Sequence, residues 1–158
     1  MLFRSERGLR PAAILLTHGH SDHIAGVGAV RRAFPGIAIA IGRGDAPKLL
    51  DPMQNLSGVF GLPITSPPAD RLLDHGDRLD AAGLEFEVRT IPGHSSGHVV
   101  FLVAGTRPPV VFGGDVLFRE GIGRTDFPDG DFALLADGIV RHLYGLPDDT
   151  VVFRSEEH

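Results

Sequence analysis

The chain has 158 residues, 42% of them hydrophobic, which is the size and apolar content of one domain with its own core. Its formal net charge is −5, from 20 acidic and 15 basic residues with no Lys/Arg cluster, which argues against a nucleic-acid partner. With no cysteine there is neither a disulfide framework nor a thiolate metal site, so any metal must rest on His and carboxylate ligands.

The first residues, Met1 to Arg7, carry charges where a signal peptide needs an apolar stretch, and no segment approaches the roughly 18 apolar residues of a membrane span. The expectation is a cytoplasmic protein with a small-molecule substrate and no membrane partner.

Ala12 to Leu16 is a short apolar run that reads as a buried strand, and it ends in Thr17-His18-Gly19-His20. Ile24, Val27, Val30 and Phe34 then recur at helical spacing and stop at Pro35-Gly36. Ile37 to Ile41 reads as a second strand. Gly42 to Pro68 has little periodicity and predicts a surface excursion with a short helix near Lys48.

Leu84 to Thr90 alternates apolar and charged residues, the period of a strand with one wet face. His98 to Val103 and Val110 to Phe112 read as two more strands across a Gly/Pro-rich turn. Phe132, Leu135, Ile139 and Leu143 mark a last helix with Asp131 as its N-cap. The order of elements predicts one layered α/β domain over 1–158.

Three polar clusters sit where strands give way to loops: His18-Gly19-His20-Ser21-Asp22-His23, Pro92-Gly93-His94 and Gly113-Gly114-Asp115. Three imidazoles and a carboxylate within six residues are dense enough to serve two adjacent divalent ions. Neutral imidazole suits zinc, iron and manganese alike. His98 reads instead as a hydrogen-bonding or packing residue, and His75 and His142 as surface residues.

The run Thr17 to His23 resembles the HxHxDH signature of the metallo-β-lactamase superfamily, and His94 and Asp115 follow in that family's order. The stretches Gly114 to Phe118, Gly121 to Pro128 and Leu146 to Thr150 are similar to its glyoxalase II-like, or hydroxyacylglutathione hydrolase-like, branch. The resemblance implies an αββα sandwich, here incomplete at the N-terminal sheet and at the C-terminal end.

It also implies two divalent metal ions, zinc foremost, with His18, His20 and His94 holding the first, Asp22 and His23 the second, and Asp115 bridging. A hydroxide between the ions would attack a thioester or related ester, with Asp22 orienting it. That family's last metal-binding His has no counterpart in type, leaving Glu156 or His158 to replace it. The open sheet edge predicts either homodimerisation through that edge or poor solubility. Two alternatives stand beside this reading: a mononuclear non-haem iron enzyme resembling the persulfide dioxygenases, held by His18, His94 and Asp115, and an inactive metal-binding remnant.

Overall fold

Two runs of small and branched apolar residues, Ala13–Leu16 (β1) and Ala38–Gly42 (β2), lie parallel with Leu16 opposite Ile41. Arg71–Leu73 (β3) joins β2 on its other side, also parallel. The structure, a computed structural model, describes residues 8–155. Among these, no strand pairs with the outer edge of β1.

Parallel neighbours need a crossover. Between β1 and β2 it is built from Ser21–Ile24 (α1) and Val27–Ala33 (α2). The sequence pattern predicts a single helix here, but the chain breaks at Ala25-Gly26, where glycine gives up helix propensity and becomes the N-cap of α2.

The second sheet follows the order of the chain: Arg78–Ala81 (β4), Leu84–Thr90 (β5), Val99–Val103 (β6), Val110–Gly114 (β7) and Val151–Arg154 (β8). Its pairs are antiparallel except β7 with β8, which are parallel and joined through the helix Phe132–His142 (α3).

Apolar side chains divide into three layers of contact. Leu16, Ile24, Val27, Ile39 and Ile41 pack α1 and α2 on one face of the first sheet. Ala40, Leu73, Val88, Val99 and Phe101 fill the space between the sheets. Ile91, Val100, Val111, Leu135 and Ile139 pack α3 on the outer face of the second sheet. Helix, sheet, sheet and helix are therefore stacked in that order, the sandwich that the sequence predicts.

The Asp131 carboxylate accepts the Leu134 N–H at 3.0 Å and so caps α3. Asp131→Ala is expected to lower stability by about 1 kcal/mol, measured as a shift of the urea midpoint at constant slope.

The Gly42 to Pro68 stretch is less of an excursion than its sequence predicts. It holds a 3-10 helix at Arg43–Leu49, and Asn55, Ser57 and Ser66 are buried. The Asn55 amide donates to the carbonyls of Lys48 and Ile64, each at 2.9 Å, folding the loop on itself.

The space between the sheets is not fully closed. A cleft of about 450 Å³, lined in part by Leu15, Phe86, Phe101, Phe112 and Phe153, opens to solvent. At its mouth the Phe112 and Phe153 rings stack 5.2 Å apart, 39% and 53% exposed.

Candidate metal centre

All three polar clusters emerge at one end of the sandwich. His18 and His20 follow β1, Asp22 and His23 occupy the first turns of α1, His94 lies in the β5–β6 loop, and Asp115 follows β7. Because β5 and β7 both run antiparallel to β6, their C-terminal ends share an edge. The strands thus bring together residues up to nearly a hundred positions apart in the chain.

His18 is the hub. Its ring centroid lies 4.7 Å from that of His20, 4.9 Å from His94 and 4.0 Å from His23, and it stacks on His98 at 4.8 Å. Donor atoms form two groups that can each surround a cation, His18/His20/His94 and His18/His23/Asp115, with the atoms of each group within 4.8 Å of one another. His18 belongs to both.

Asp22 stands outside both groups. Its side chain is 69% exposed, with Oδ2 3.6 Å from His23 Nε2. Glu156 and His158 lie outside the described residues.

Two observations test whether these residues suit metal ions. His18 Nε2 and His20 Nε2 are buried and lack a hydrogen-bond partner, at a cost of about 1–3 kcal/mol each that coordination would remove. The donors are imidazole nitrogen and carboxylate oxygen with no thiolate, a set matched to zinc, iron or manganese. The residues therefore fit divalent metal.

Supporting contacts orient the donors. His94 Nδ1 donates to the Arg124 carbonyl at 2.9 Å, which fixes the tautomer and leaves Nε2 as the donor atom. His98 behaves as its sequence context predicts: its Nε2 accepts the Asp115 backbone N–H at 3.2 Å. Gly123 is required between these two, because a Cβ there would fall 1.9 Å from the Asp115 carbonyl oxygen and 3.0 Å from His94 Nδ1.

The larger device was not legible as a motif. Asp45, fully buried, accepts the N–H of Gly19 at 2.8 Å and of Gly97 at 2.7 Å, together with the Ser95 hydroxyl. Lys48 Nζ, also buried, lies 3.1 Å from Asp45 and pairs with Asp129 as well, whose carboxylate accepts the Ser96 N–H at 2.9 Å. One carboxylate thus ties the loop of His18 and His20 to the loop of His94. Gly97 passes so close to Asp45 that a Cβ would lie 2.2 Å from the Asp45 nitrogen. An Asp and a Lys three residues apart, in a stretch with little periodicity, carry no local pattern that marks them as buried.

Electrostatics follow from burial. Desolvation, with the neighbouring imidazoles, lowers the His18 pKa well below its usual value, and lowers His20 to about 4 and His98 to about 3. For Asp115 burial pushes the pKa up, but hydrogen bonds from His23 and Ser155 outweigh it and hold the carboxyl at about 2. Burial likewise opposes ionisation of Asp45, and Lys48, Ser95 and the two backbone N–H groups overcome it, so its pKa is lowered.

The metal-free chain should therefore lose stability as acid is added. Unfolded histidines take up protons near 6.5, whereas folded His20 and His98 stay neutral to about 4 and about 3. The unfolded state binds more protons in that interval, so stability is full above about pH 6.5 and falls between there and pH 4. Urea midpoints measured across this range check it, and a flat profile would contradict the buried neutral imidazoles.

Comparison with known proteins is consistent with this geometry. The sequence profile of the metallo-beta-lactamase superfamily matches residues 2–155. Hydroxyacylglutathione hydrolase GloC of Haemophilus influenzae is 37% identical over 149 residues, covering 93% of this chain and 69% of that protein. Among solved structures, the BLEG-1 B3 metallo-beta-lactamase is 39% identical with a TM-score of 0.92, covering 99% of this chain and 75% of that one. TTHA1623, solved in a di-iron-bound form, is 35% identical with a TM-score of 0.84 over the same shares. No helix among the described residues is long and apolar enough to cross a membrane. With its fold, its cluster of metal-suited side chains and its sequence all in agreement, the chain belongs to the metallo-beta-lactamase superfamily of metal-binding hydrolases.

Proposed function

We propose that the chain is a dinuclear metal-dependent hydrolase that cleaves a thioester or related ester of a small molecule. The observation that carries this reading is the pair of donor groups sharing His18, set beside a cavity of about 540 Å³ lined by His20, His94, Asp115 and Asp22. His18, His20 and His94 would hold one ion and His23 with Asp115 the other; Asp22 stands close enough to His23 to join the second. Zinc, iron and manganese all suit these donors. Bound divalent ions supply a water of lowered pKa and positive charge opposite a developing oxyanion.

The protein's own groups do the rest. The Arg124 carbonyl holds His94 in the tautomer that presents Nε2. Phe127 packs against the rings of His20 and His94, at 5.1 and 5.7 Å, and keeps bulk water from that side. Asp22, exposed at the cavity, would orient the attacking water and take its proton. As oxygen adds to the acyl carbon and the C–S bond breaks, that proton passes to the leaving thiolate.

Support for the thioester comes from likeness to GloC, a hydroxyacylglutathione hydrolase, and support for two ions from likeness to di-iron TTHA1623. The deciding test is metal stoichiometry of the purified chain by plasma emission spectrometry, with hydrolysis of a neutral thioester before and after chelation. Close to two ions per chain with chelator-sensitive turnover supports the proposal. A single iron and no hydrolysis would replace it with the mononuclear oxygenase held by His18, His94 and Asp115, and no bound metal at all would leave a remnant.

A further inference from the structure

The cavity beside the donor groups is walled with carbon. Leu56, Phe118 and Ile122 are half-buried in its lining, and Phe60 stands at its rim, 77% exposed on the short 3-10 helix Gly58–Phe60. A phenylalanine this exposed, continuous with a site of chemistry, marks a binding surface more than a stray apolar residue does.

Leu56 is held there against its backbone preference. Its φ is 72°, in the left-handed region that glycine and asparagine adopt readily and a branched apolar residue does not. The residue that would relax this turn is absent, and the one present puts an isobutyl group into the cavity lining.

Charge points the same way. Among the described residues the one Lys or Arg in the lining is Arg124, and its guanidinium is committed: Nε and a terminal nitrogen donate to Asp126 at 2.7 Å each, and its Cζ lies over the Phe127 ring at 4.5 Å from the centroid. Asp22 and Asp115 would offset the charge of any ions the donor groups hold, and away from those groups an anionic tail finds no uncommitted cationic side chain among the described lining residues.

We infer that this cavity selects a substrate carrying an uncharged, apolar chain of several carbons next to the reacting carbonyl, in preference to one whose chain ends in an anion. The inference rests on the hydrolytic reading only in treating the occupant as a substrate; the binding preference stands by itself.

The test is calorimetric titration of the purified chain with uncleavable S-alkyl-N-acetylcysteamine thioethers, with the alkyl group extended from ethyl through butyl to hexyl. The Kd is expected to fall about twofold to fourfold for each methylene buried, and a hexyl analogue ending in carboxylate is expected to bind more weakly than hexyl itself. Phe60→Ser should flatten the dependence on length, and Phe60→Leu should keep most of it. Leu56→Gly should flatten it too without lowering the urea midpoint, because glycine relaxes the turn. A Kd independent of length, tighter binding of the carboxylate, or no binding of any analogue overturns the inference. Length dependence in a chain that cleaves no thioester upholds it and removes only the hydrolytic reading, whereas hydrolysis without length dependence does the reverse.

Discussion

Asp45→Ala is expected to cost about 3–5 kcal/mol of folding stability, a large share of the 5–15 kcal/mol typical of a domain. The reason is asymmetry: the substitution leaves the buried Lys48 ammonium with Asp129 as its remaining carboxylate, beside the Ser95 hydroxyl, and orphans the N–H groups of Gly19 and Gly97. Asp45→Asn should recover little, because it restores an acceptor oxygen but no charge opposite Lys48. Combining Asp45→Asn with Lys48→Met should cost less than the sum of the two, since the second change removes the charge the first left uncompensated. Urea unfolding followed by far-UV circular dichroism reads all three, and an Asp45→Ala chain within 1 kcal/mol of the parent would refute the clamp.

His18→Ala should have the largest effect on metal. His18 lies where the two donor groups meet, and its loss takes a ligand from the His20/His94 ion and opens the wall beside His23 and Asp115, so metal binding is expected to weaken beyond the 10–100-fold seen when outer-shell partners are removed. After dialysis, plasma emission spectrometry should find little metal. Asp115→Ala should lower metal content and abolish turnover, for it supplies the carboxylate of the second group. His142→Ala should change neither; its ring lies on α3 beside His75, 4.8 Å away, in a pair remote from the centre. Retention of full metal content by His18→Ala would sink its placement among the ligands.

What could be read from the sequence was whatever carried a strong period or dense chemistry. Leu84–Thr90 alternates cleanly and is a strand over those residues. His18 to His23 packs four candidate donors into six positions, and the fold brings His94 and Asp115 beside them. The short strands β3, β4 and β8 were not visible, since three or four residues hold too little pattern; β8 is defined by pairing with β7, a partner forty residues away. The Asp45 clamp has no sequence signature for a related reason. Its partners come from three loops, and a side chain's burial depends on those loops meeting, which no local pattern records.

The cleft between the sheets bears on how this protein reports its own folded state. The stacked Phe112 and Phe153 faces offer an apolar seat to a dye such as anilinonaphthalene sulfonate, so the native chain should light up in assays where brightness is ordinarily taken to mean a molten globule. Dye-based melting would then start from a raised baseline and understate the transition. Intrinsic fluorescence is a poor substitute, as the chain has no tryptophan and a single tyrosine, Tyr144, 68% exposed on the surface. Backbone circular dichroism is the signal that separates folded from unfolded here.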